Sequence, residues 1–292
     1  MRVALVTCRK VPDLTDDDRL LLPALAARGA AAEAVVWDDP AADWSRFDRL
    51  VLRSVWDYHL RPREFDDWLT GREREGAATW NPPALVRWNA HKAYLRTLAE
   101  QGIATLDTEW LAKGSPAPLA AVMDARGWRD VVVKPAVSAS AYRTFRVARQ
   151  AADAQQAELD AILADGDALV QPFAPEIADG EWSLLFFGGA FSHAVRKRPA
   201  AADFRVQEEL GGRASTEEPE ASVVAQASAA LRAAPGRTAY ARVDGIVRDG
   251  VFVLMELELI EPVLYLARHP DAPARLAGAV LAGYPADGNA TR

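Results

Sequence analysis

A run of strand-forming residues extends from position 242 to position 258 and is broken once, by an Arg-Asp-Gly sequence at 248–250. This pattern predicts a β-hairpin with a three-residue loop, in which Gly250 takes the left-handed position and Val247 pairs with Val251. Because side chains alternate between the two faces of a strand, one face should be polar and the other mainly apolar. The apolar face then consists of Val243, Gly245, Val247, Val251, Val253, Met255 and Leu257.

The polar face of this hairpin carries Arg242, Asp244, Glu256 and Glu258. Three carboxylates on one face repel one another unless a cation lies between them, and hard ions such as Mg²⁺ prefer oxygen ligands and bridge to substrate phosphates. Arg242 beside them suits a negative charge that develops during a reaction. The pattern favours a magnesium site over the alternative, a solvated polar face, because solvated faces usually mix charge signs more evenly.

The first of three zones, residues 1–88, alternates predicted strands with predicted helices, which indicates a parallel sheet. Ligands of such sheets bind beyond the carboxyl ends of the strands, where Arg53 and Ser54 follow a predicted strand. Arg53 either holds a substrate carboxylate through two hydrogen bonds or pairs with Asp57 in the same loop. The predicted elements are strands at 3–6, 34–37 and 50–52 and helices at 13–28 and 62–74.

The second zone, residues 89–175, begins with a helix predicted over 90–101 and capped by Asn89. Lys92 in the first turn of this helix opposes the helix dipole, so a bound anion would explain its position.

A strand predicted at 131–135 contains Lys134 and leads into a loop of small residues that includes Ser138 and Ser140. Small side chains let backbone N–H groups approach phosphate oxygens closely, so the loop is a candidate phosphate-binding element. A mobile hairpin tip without a ligand is the alternative interpretation.

The third zone, residues 176–292, contains the acidic hairpin and three further predicted elements. These are a hairpin at 181–197 that turns at Gly188 and Gly189, a helix at 220–233 and a terminal helix at 269–283.

Composition narrows the class of protein. The chain has 292 residues and a net charge of −7, which argues against nucleic acid or an anionic membrane as the main partner. Its one cysteine, Cys8, excludes an internal disulfide framework, and no apolar run reaches the length of a membrane span. The four histidines lack metal-ligand spacing, and nucleophile and Walker A motifs are absent. We therefore expect a cytoplasmic protein.

Several of these features occur in the order seen in ATP-grasp ligases, and the chain resembles that family over about 89–262. The resemblance implies an α/β protein with an N-terminal parallel-sheet substrate domain at 1–88. It also implies two α+β lobes that clamp ATP, a central lobe with a lid at 89–175 and a C-terminal lobe at 176–292. The features are Lys92, Lys134 with its small-residue loop, Gln171 with Phe173, Glu181, Arg205 with Gly211 and Gly212, and the Arg242, Asp244, Glu256 and Glu258 set.

The resemblance also implies roles for individual residues. ATP would be bound by Lys92, Lys134, Ser138, Ser140, Gln171, Phe173 and Glu181. Lys197 and Arg205 would contact phosphate or acyl-phosphate oxygens, and Arg242 would stabilise a tetrahedral oxyanion. Two Mg²⁺ ions would be held by Asp244, Glu256 and Glu258. This chain has Glu258 where the family usually has Asn, and Ser138 and Ser140 where relatives have glycine.

Within the family, segments 53–58 and 256–262 are similar to the O-ureido-D-serine cyclo-ligases. That similarity implies a small-molecule carboxylate substrate, activated by ATP and closed into a five-membered ring by its own nitrogen, with loss of carbon dioxide and ammonia. The candidate substrate pocket comprises Arg53, Ser54, Tyr58 and Glu261, and Glu261 either pairs with a substrate ammonium or has a capping or salt-bridge role.

Two alternatives stay open: a RimK-like ligase that adds an amino acid to a peptide or protein, and a non-catalytic nucleotide-binding module. Family members often form homodimers, so a homodimer is a further expectation.

Overall fold

Three β-sheets organise the part of the chain that this computed structural model describes, residues 1–200, 203–207 and 210–282. The first sheet has the order β2-β1-β3-β4 and is parallel, as the strand–helix alternation predicts. Its strands are β1 (Arg2–Thr7), β2 (Ala31–Val36), β3 (Arg49–Ser54) and β4 (Thr79–Trp80). The predicted α/β class is confirmed.

The second sheet is antiparallel and has the order β5-β8-β6-β7. Its strands are β5 (Glu109–Leu111), β6 (Asp130–Pro135), β7 (Phe145–Ala148) and β8 (Ala168–Pro172). The third sheet, also antiparallel, has the order β11-β10-β9-β12-β13. Its strands are β9 (Glu181–Phe187), β10 (Ala190–Arg198), β11 (Arg213–Thr216), β12 (Tyr240–Arg248) and β13 (Val251–Glu258).

Helices cover these sheets, and none in the described ranges is long and apolar enough to cross a membrane. They are α1 (Asp16–Arg19), α2 (Leu21–Ala26), α3 (Pro62–Arg74), α4 (Pro83–Ala90), α5 (Tyr94–Glu100), α6 (Leu119–Arg126), α7 (Gln156–Asp165), α8 (Ala221–Arg232) and α9 (Ala272–Leu281). Helix α3 begins at Pro62 as predicted, since proline lacks only an N–H that the first turn would leave unpaired. The end of the predicted terminal helix, Gly283, and residues 284–292 lie outside the described residues.

The helix predicted over 90–101 is wrong. Helix α4 ends at Ala90 and α5 begins at Tyr94, so Asn89 lies inside a helix and caps nothing. Its side-chain amide instead donates to the Leu257 carbonyl at 2.8 Å and accepts from the Leu259 N–H at 2.9 Å. These bonds satisfy the end of β13, and they leave Lys92 in the break between two helices.

The acidic hairpin also differs from its prediction. Arg248 pairs with Val251, so the loop has two residues, Asp249 and Gly250, both with positive φ (51° and 76°), as a type I′ turn requires. A β-bulge at Met255 adds one residue to β13 and shifts the register from there on.

The bulge decides which residues share a face. Beyond it, Asp244 lies opposite Glu256 and Arg242 lies opposite Glu258, so the predicted polar set does share one face. Val253 and Met255, predicted on the apolar face, instead pack beside Leu106 and Ala174 on the opposite side of the sheet from Val243. A shift of one position reverses the face of every following side chain. The shorter loop and the bulge each shift the register by one position and cancel each other, so the predicted polar face is correct although the predicted loop is not.

Contacts between distant segments join the first sheet to the third. The Asn81 side chain donates to the Tyr240 and Leu259 carbonyls and accepts from the Ala239 N–H, at 2.7–2.9 Å. Helix α9 packs against α2 in a shared hydrophobic cluster. Each sheet lies within one of the three zones, and the boundaries at 88 and 175 stay a prediction.

Candidate active site

A cavity of about 250 Å³ lies between the second and third sheets and is bordered by the loop after β6 and by residues that follow β3. Most of the predicted site residues line it: Tyr58, Lys92, Lys134, Ser138, Ser140, Gln171, Phe173, Glu181, Lys197, Arg205, Arg242, Glu256, Glu258 and Glu261. Three predicted residues, Arg53, Ser54 and Asp244, do not line it.

The prediction that Arg53 and Ser54 contact substrate is wrong. Arg53 is only 1 % exposed, and its guanidinium donates to Asp18 Oδ1 at 2.9 Å and to the Pro262 carbonyl at 2.6 Å. Ser54 Oγ donates to the other Asp18 oxygen at 2.5 Å. Both side chains therefore bond within the protein: Ser54 to Asp18, and Arg53 to Asp18 and also to residue 262. The alternative pairing of Arg53 with Asp57 is not observed either.

Asp244 lies beneath the cavity wall and is 2 % exposed. It accepts hydrogen bonds from Ser183 Oγ at 2.5 Å and from Arg242 Nε at 3.0 Å, and Lys197 Nζ is 3.5 Å away. Burial raises the pKa of Asp244, but Arg242 and Lys197 outweigh it and hold that pKa below its ordinary value. Asp244 is therefore a buried anion that anchors two cations of the site.

Arg242 lies between two carboxylates on the polar face. Its guanidinium contacts Asp244 and Glu258, and it also donates to the Val263 carbonyl at 3.1 Å. Burial, together with the neighbouring Asp244 and Glu256, raises the pKa of Glu258 to about 8 against the attraction of Arg242. The cation expected among the carboxylates is thus, in part, a side chain of the protein itself.

Lys92 joins the lid loop to the third sheet. Its Nζ donates to the Ser138 carbonyl at 2.9 Å and forms an ion pair with Glu256 at 2.7 Å, while its N–H donates to the Ala136 carbonyl at 2.8 Å. Burial raises the pKa of Glu256, but Lys92 and Lys134 outweigh it and keep that pKa below its ordinary value. A non-helical backbone at Lys92 allows all three contacts.

Two further lysines face the cavity in different ways. Lys197 pairs with Glu181, directly opposite it on the neighbouring strand, at 2.5 Å. Lys134 has no acidic side chain within 4 Å among the described residues, and burial, aided by Lys92, lowers its pKa. A buried amine without a counter-charge is a site where an anionic ligand would be stabilised.

The end of the cavity near β8 is mainly apolar. Gln171 donates to Thr108 Oγ1 at 2.9 Å, and Phe173 lies beneath the guanidinium of Arg146, 3.5 Å from the ring centre. The sequence analysis missed Met255 as a cavity residue; the bulge in β13 turns its side chain into this wall. The apolar lining consists of Leu106, Val132, Ala174, Ile177 and Met255.

The predicted lid, the loop after β6, has an irregular backbone. Ser140, Ala141 and Arg143 have positive φ, at 50–54°, without being glycine. Tyr142 at its tip contacts His59, with ring centres 5.2 Å apart, so the lid touches the segment that follows β3.

A metal site built from protein alone does not fit this geometry. In the described ranges, no group of three Asp, Glu, His or Cys side chains comes together closely enough to hold an ion. Mg²⁺, however, usually binds through one or two carboxylates and completes its shell with water and substrate phosphates. Glu256 and Glu258, which both face the cavity, fit that kind of site. The three-carboxylate prediction overlooked the pairing of Asp244 with Arg242 and Lys197.

Comparison with known proteins gives consistent matches. Residues 3–81 match the family model "D-cycloserine synthetase DcsG, N-terminal domain". The cycloserine biosynthesis protein DcsG of Streptomyces lavendulae is 34 % identical over 301 residues, covering 95 % of this chain and 97 % of that protein.

Solved structures agree with the sequence matches. The crystal structure of D-cycloserine synthetase DcsG has a TM-score of 0.85 at 30 % identity, covering 96 % of this chain and 98 % of that one. The RimK domain protein ATP-grasp from Sphaerobacter thermophilus has a TM-score of 0.72 at 20 % identity, covering 96 % of this chain and 100 % of that one. At this identity the similarity is one of fold. This chain therefore belongs to the D-cycloserine synthetase family of ATP-grasp ligases.

Proposed function

We propose that this protein uses ATP to activate the carboxylate of O-ureido-D-serine as an acyl-phosphate and then closes the ring of D-cycloserine. The observation that supports this most strongly is the arrangement of Lys92, Lys134, Lys197 and Arg242 around one cavity with an apolar end. Four cations suit a polyphosphate and a reacting carboxylate, and the apolar end beside Phe173 suits a nucleobase.

The chain supplies positioning and charge rather than a nucleophile. Lys134, whose ammonium has no ion-pair partner in the described ranges, would bind a phosphate group of ATP, and Lys197 and Arg205 would contact the transferring phosphoryl group. Arg242 would stabilise the oxyanion that forms when nitrogen attacks the acyl carbon. Ser138 and Ser140 in the lid would cover the phosphates and exclude water from the acyl-phosphate.

We propose two Mg²⁺ ions as cofactors, with Glu256 and Glu258 as the ligands that face the cavity and Asp244 beneath them. Bound there with ATP, the ions would neutralise charge on the transferring phosphoryl group.

The reaction balances as follows. The γ-phosphoryl group of ATP moves to the substrate carboxylate and releases ADP. The aminooxy nitrogen then attacks the acyl carbon, and inorganic phosphate leaves. Hydrolysis of the carbamoyl group consumes one water and releases carbon dioxide and ammonia. Because the attack is intramolecular, a single small pocket is sufficient. The high effective molarity of the nitrogen lowers the activation barrier substantially.

The test is ADP release with ATP and Mg²⁺, in the presence and absence of O-ureido-D-serine, with the organic product identified by mass spectrometry. ADP that depends on this substrate, together with D-cycloserine, supports the proposal. ADP formed only with a peptide carboxylate and an added amino acid would replace it with the RimK-like alternative. ATP binding without any ADP would favour the non-catalytic alternative. We also propose a cytoplasmic location and a homodimer, the latter tested by light scattering.

A further inference from the structure

Charge pairing around the cavity is nearly complete. Each charged residue that lines it has an oppositely charged partner among the described residues, except Lys134 and Glu261. The pairs are Lys92 with Glu256, Lys197 with Glu181, Arg242 with Glu258, and Arg205 with Asp203. Two unpaired charges of opposite sign in one cavity indicate ligands that bring both signs. A phosphate suits Lys134, and a cationic group suits Glu261.

The backbone around Glu261 is held firmly in place. The Glu261 carbonyl accepts from Trp56 Nε1 at 3.1 Å, the Ile260 carbonyl accepts from the Tyr240 hydroxyl at 2.9 Å, and the Pro262 carbonyl accepts from Arg53. Donors from both the first and third sheets thus fix three successive carbonyls. The carboxylate of Glu261 takes no part in these bonds and faces the cavity. A rigid backbone that presents a carboxylate without an ion-pair partner among the described residues is a preorganised binding group.

The surroundings of Glu261 define the kind of cation. Burial raises its pKa to about 7, while Lys92 and, more weakly, Arg242 lower it, so both cations are within electrostatic range. Glu261 and Arg242 line the same cavity, so an ammonium beside the one and an anion beside the other suit the two charges of a single α-amino acid. Tyr58 also borders the cavity here.

We infer that Glu261 binds the α-ammonium group of the substrate and thereby selects a small zwitterionic amino acid with a free amine. This inference rests on the proposed function and deepens it. The α-ammonium does not take part in ring closure, so Glu261 acts as a specificity-determining residue. Its contact would also place the substrate carboxylate towards Arg242, where activation is proposed. An N-acylated or peptide-linked substrate could not make this contact.

The test compares Glu261→Gln with the unaltered protein on two substrates, O-ureido-D-serine and its analogue with hydrogen in place of the ammonium group. Loss of a buried charge pair weakens binding by at least about 30-fold, so the unaltered protein should prefer the amino-bearing substrate by that factor in kcat/KM. The variant should lose this preference, while its activity on the analogue stays within about 3-fold. General structural damage would lower both activities equally.

Glu217→Gln is the matched control, because Glu217 forms a half-exposed pair with Arg198 away from the cavity lining. It should keep the full preference for the amino-bearing substrate. If Glu261→Gln also keeps it, the inference is overturned.

Calorimetric titration separates this inference from the proposed function. If neither substrate supports ADP release, the proposed function fails, and binding of O-ureido-D-serine and its analogue is measured directly. The ammonium site would still be supported if the unaltered protein bound the amino-bearing compound more tightly than the analogue and Glu261→Gln bound the two compounds equally. Equal affinities in both proteins would overturn it.

Discussion

Replacing Glu256 with Gln removes one negative charge from the centre of the cavity and changes little else in shape. In the structure, Glu256 pairs with Lys92 at 2.7 Å, and Lys92 also donates to the Ser138 carbonyl at 2.9 Å. The amide oxygen of Gln can still accept from Lys92. The substitution therefore separates the charge of Glu256 from its hydrogen bond.

The expected cost to stability is small. Removing one partner of a buried ion pair costs about 3–5 kcal/mol when the other charge is left alone. Here Lys92 keeps the Ser138 carbonyl and gains an amide acceptor, so we expect a loss of about 1–2 kcal/mol, the value of a hydrogen bond to a charged group.

The expected cost to turnover is larger. Without the carboxylate, Lys92 and Lys134 lose the anion that opposes their mutual repulsion, and the cavity loses a proposed magnesium ligand. We expect kcat/KM to fall by at least about 100-fold, comparable with removal of one group that stabilises a transition state.

Urea unfolding measures the first quantity and substrate-dependent ADP release the second. Glu217→Gln, the same change outside the cavity, should alter neither by a measurable amount. Turnover of Glu256→Gln within about 3-fold of the unaltered protein would refute the reasoning. So would a stability loss above about 4 kcal/mol, because Glu256 would then be a structural residue.

Three further predictions concern parts of the fold that support the site. Gly245→Ala should lower the free energy of unfolding by about 1–3 kcal/mol in urea titrations, since a Cβ there would lie 2.5 Å from the Val253 carbonyl oxygen; an unchanged midpoint would contradict this. Arg53→Met should lower the free energy of unfolding by about 3–5 kcal/mol in urea titrations, because it leaves Asp18 buried without its ion-pair partner; a midpoint equal to that of the unaltered protein would refute this. Burial lowers the pKa of His193 from 6.5 to about 4, so as pH falls this histidine is protonated in the unfolded chain before it is protonated in the folded one. The free energy of unfolding should therefore decrease by about 3 kcal/mol between pH 6.5 and pH 4. Urea titrations across this pH range should show that His193→Gln lacks this decrease.

The parallel sheet and the polar face of the hairpin could be predicted from the sequence because both depend on local periodicity. Strand–helix alternation gives the first, and residue type at every second position gives the second. The bulge at Met255 could not be predicted from this periodicity, because an extra residue in one strand breaks the two-residue repeat. The predicted polar face survives because the loop is one residue shorter than expected and the bulge adds one residue back.

Residues whose partners are distant in sequence were misread. Arg53 looked like a ligand-binding residue at the end of a strand, but it bonds to Asp18 and to the carbonyl of Pro262, 209 positions away. Asn89 looked like a helix cap, but it bonds to β13 and to residue 259. A sequence pattern shows that a polar group needs a partner, and only the fold shows which partner it finds.

The central claim is that the substrate carboxylate is phosphorylated, and oxygen transfer tests it most directly. O-ureido-D-serine labelled with ¹⁸O in its carboxylate is incubated with ATP, Mg²⁺ and the protein, and the inorganic phosphate is analysed by mass spectrometry. An acyl-phosphate predicts one ¹⁸O in each phosphate released with D-cycloserine. Unlabelled phosphate alongside D-cycloserine would contradict the account.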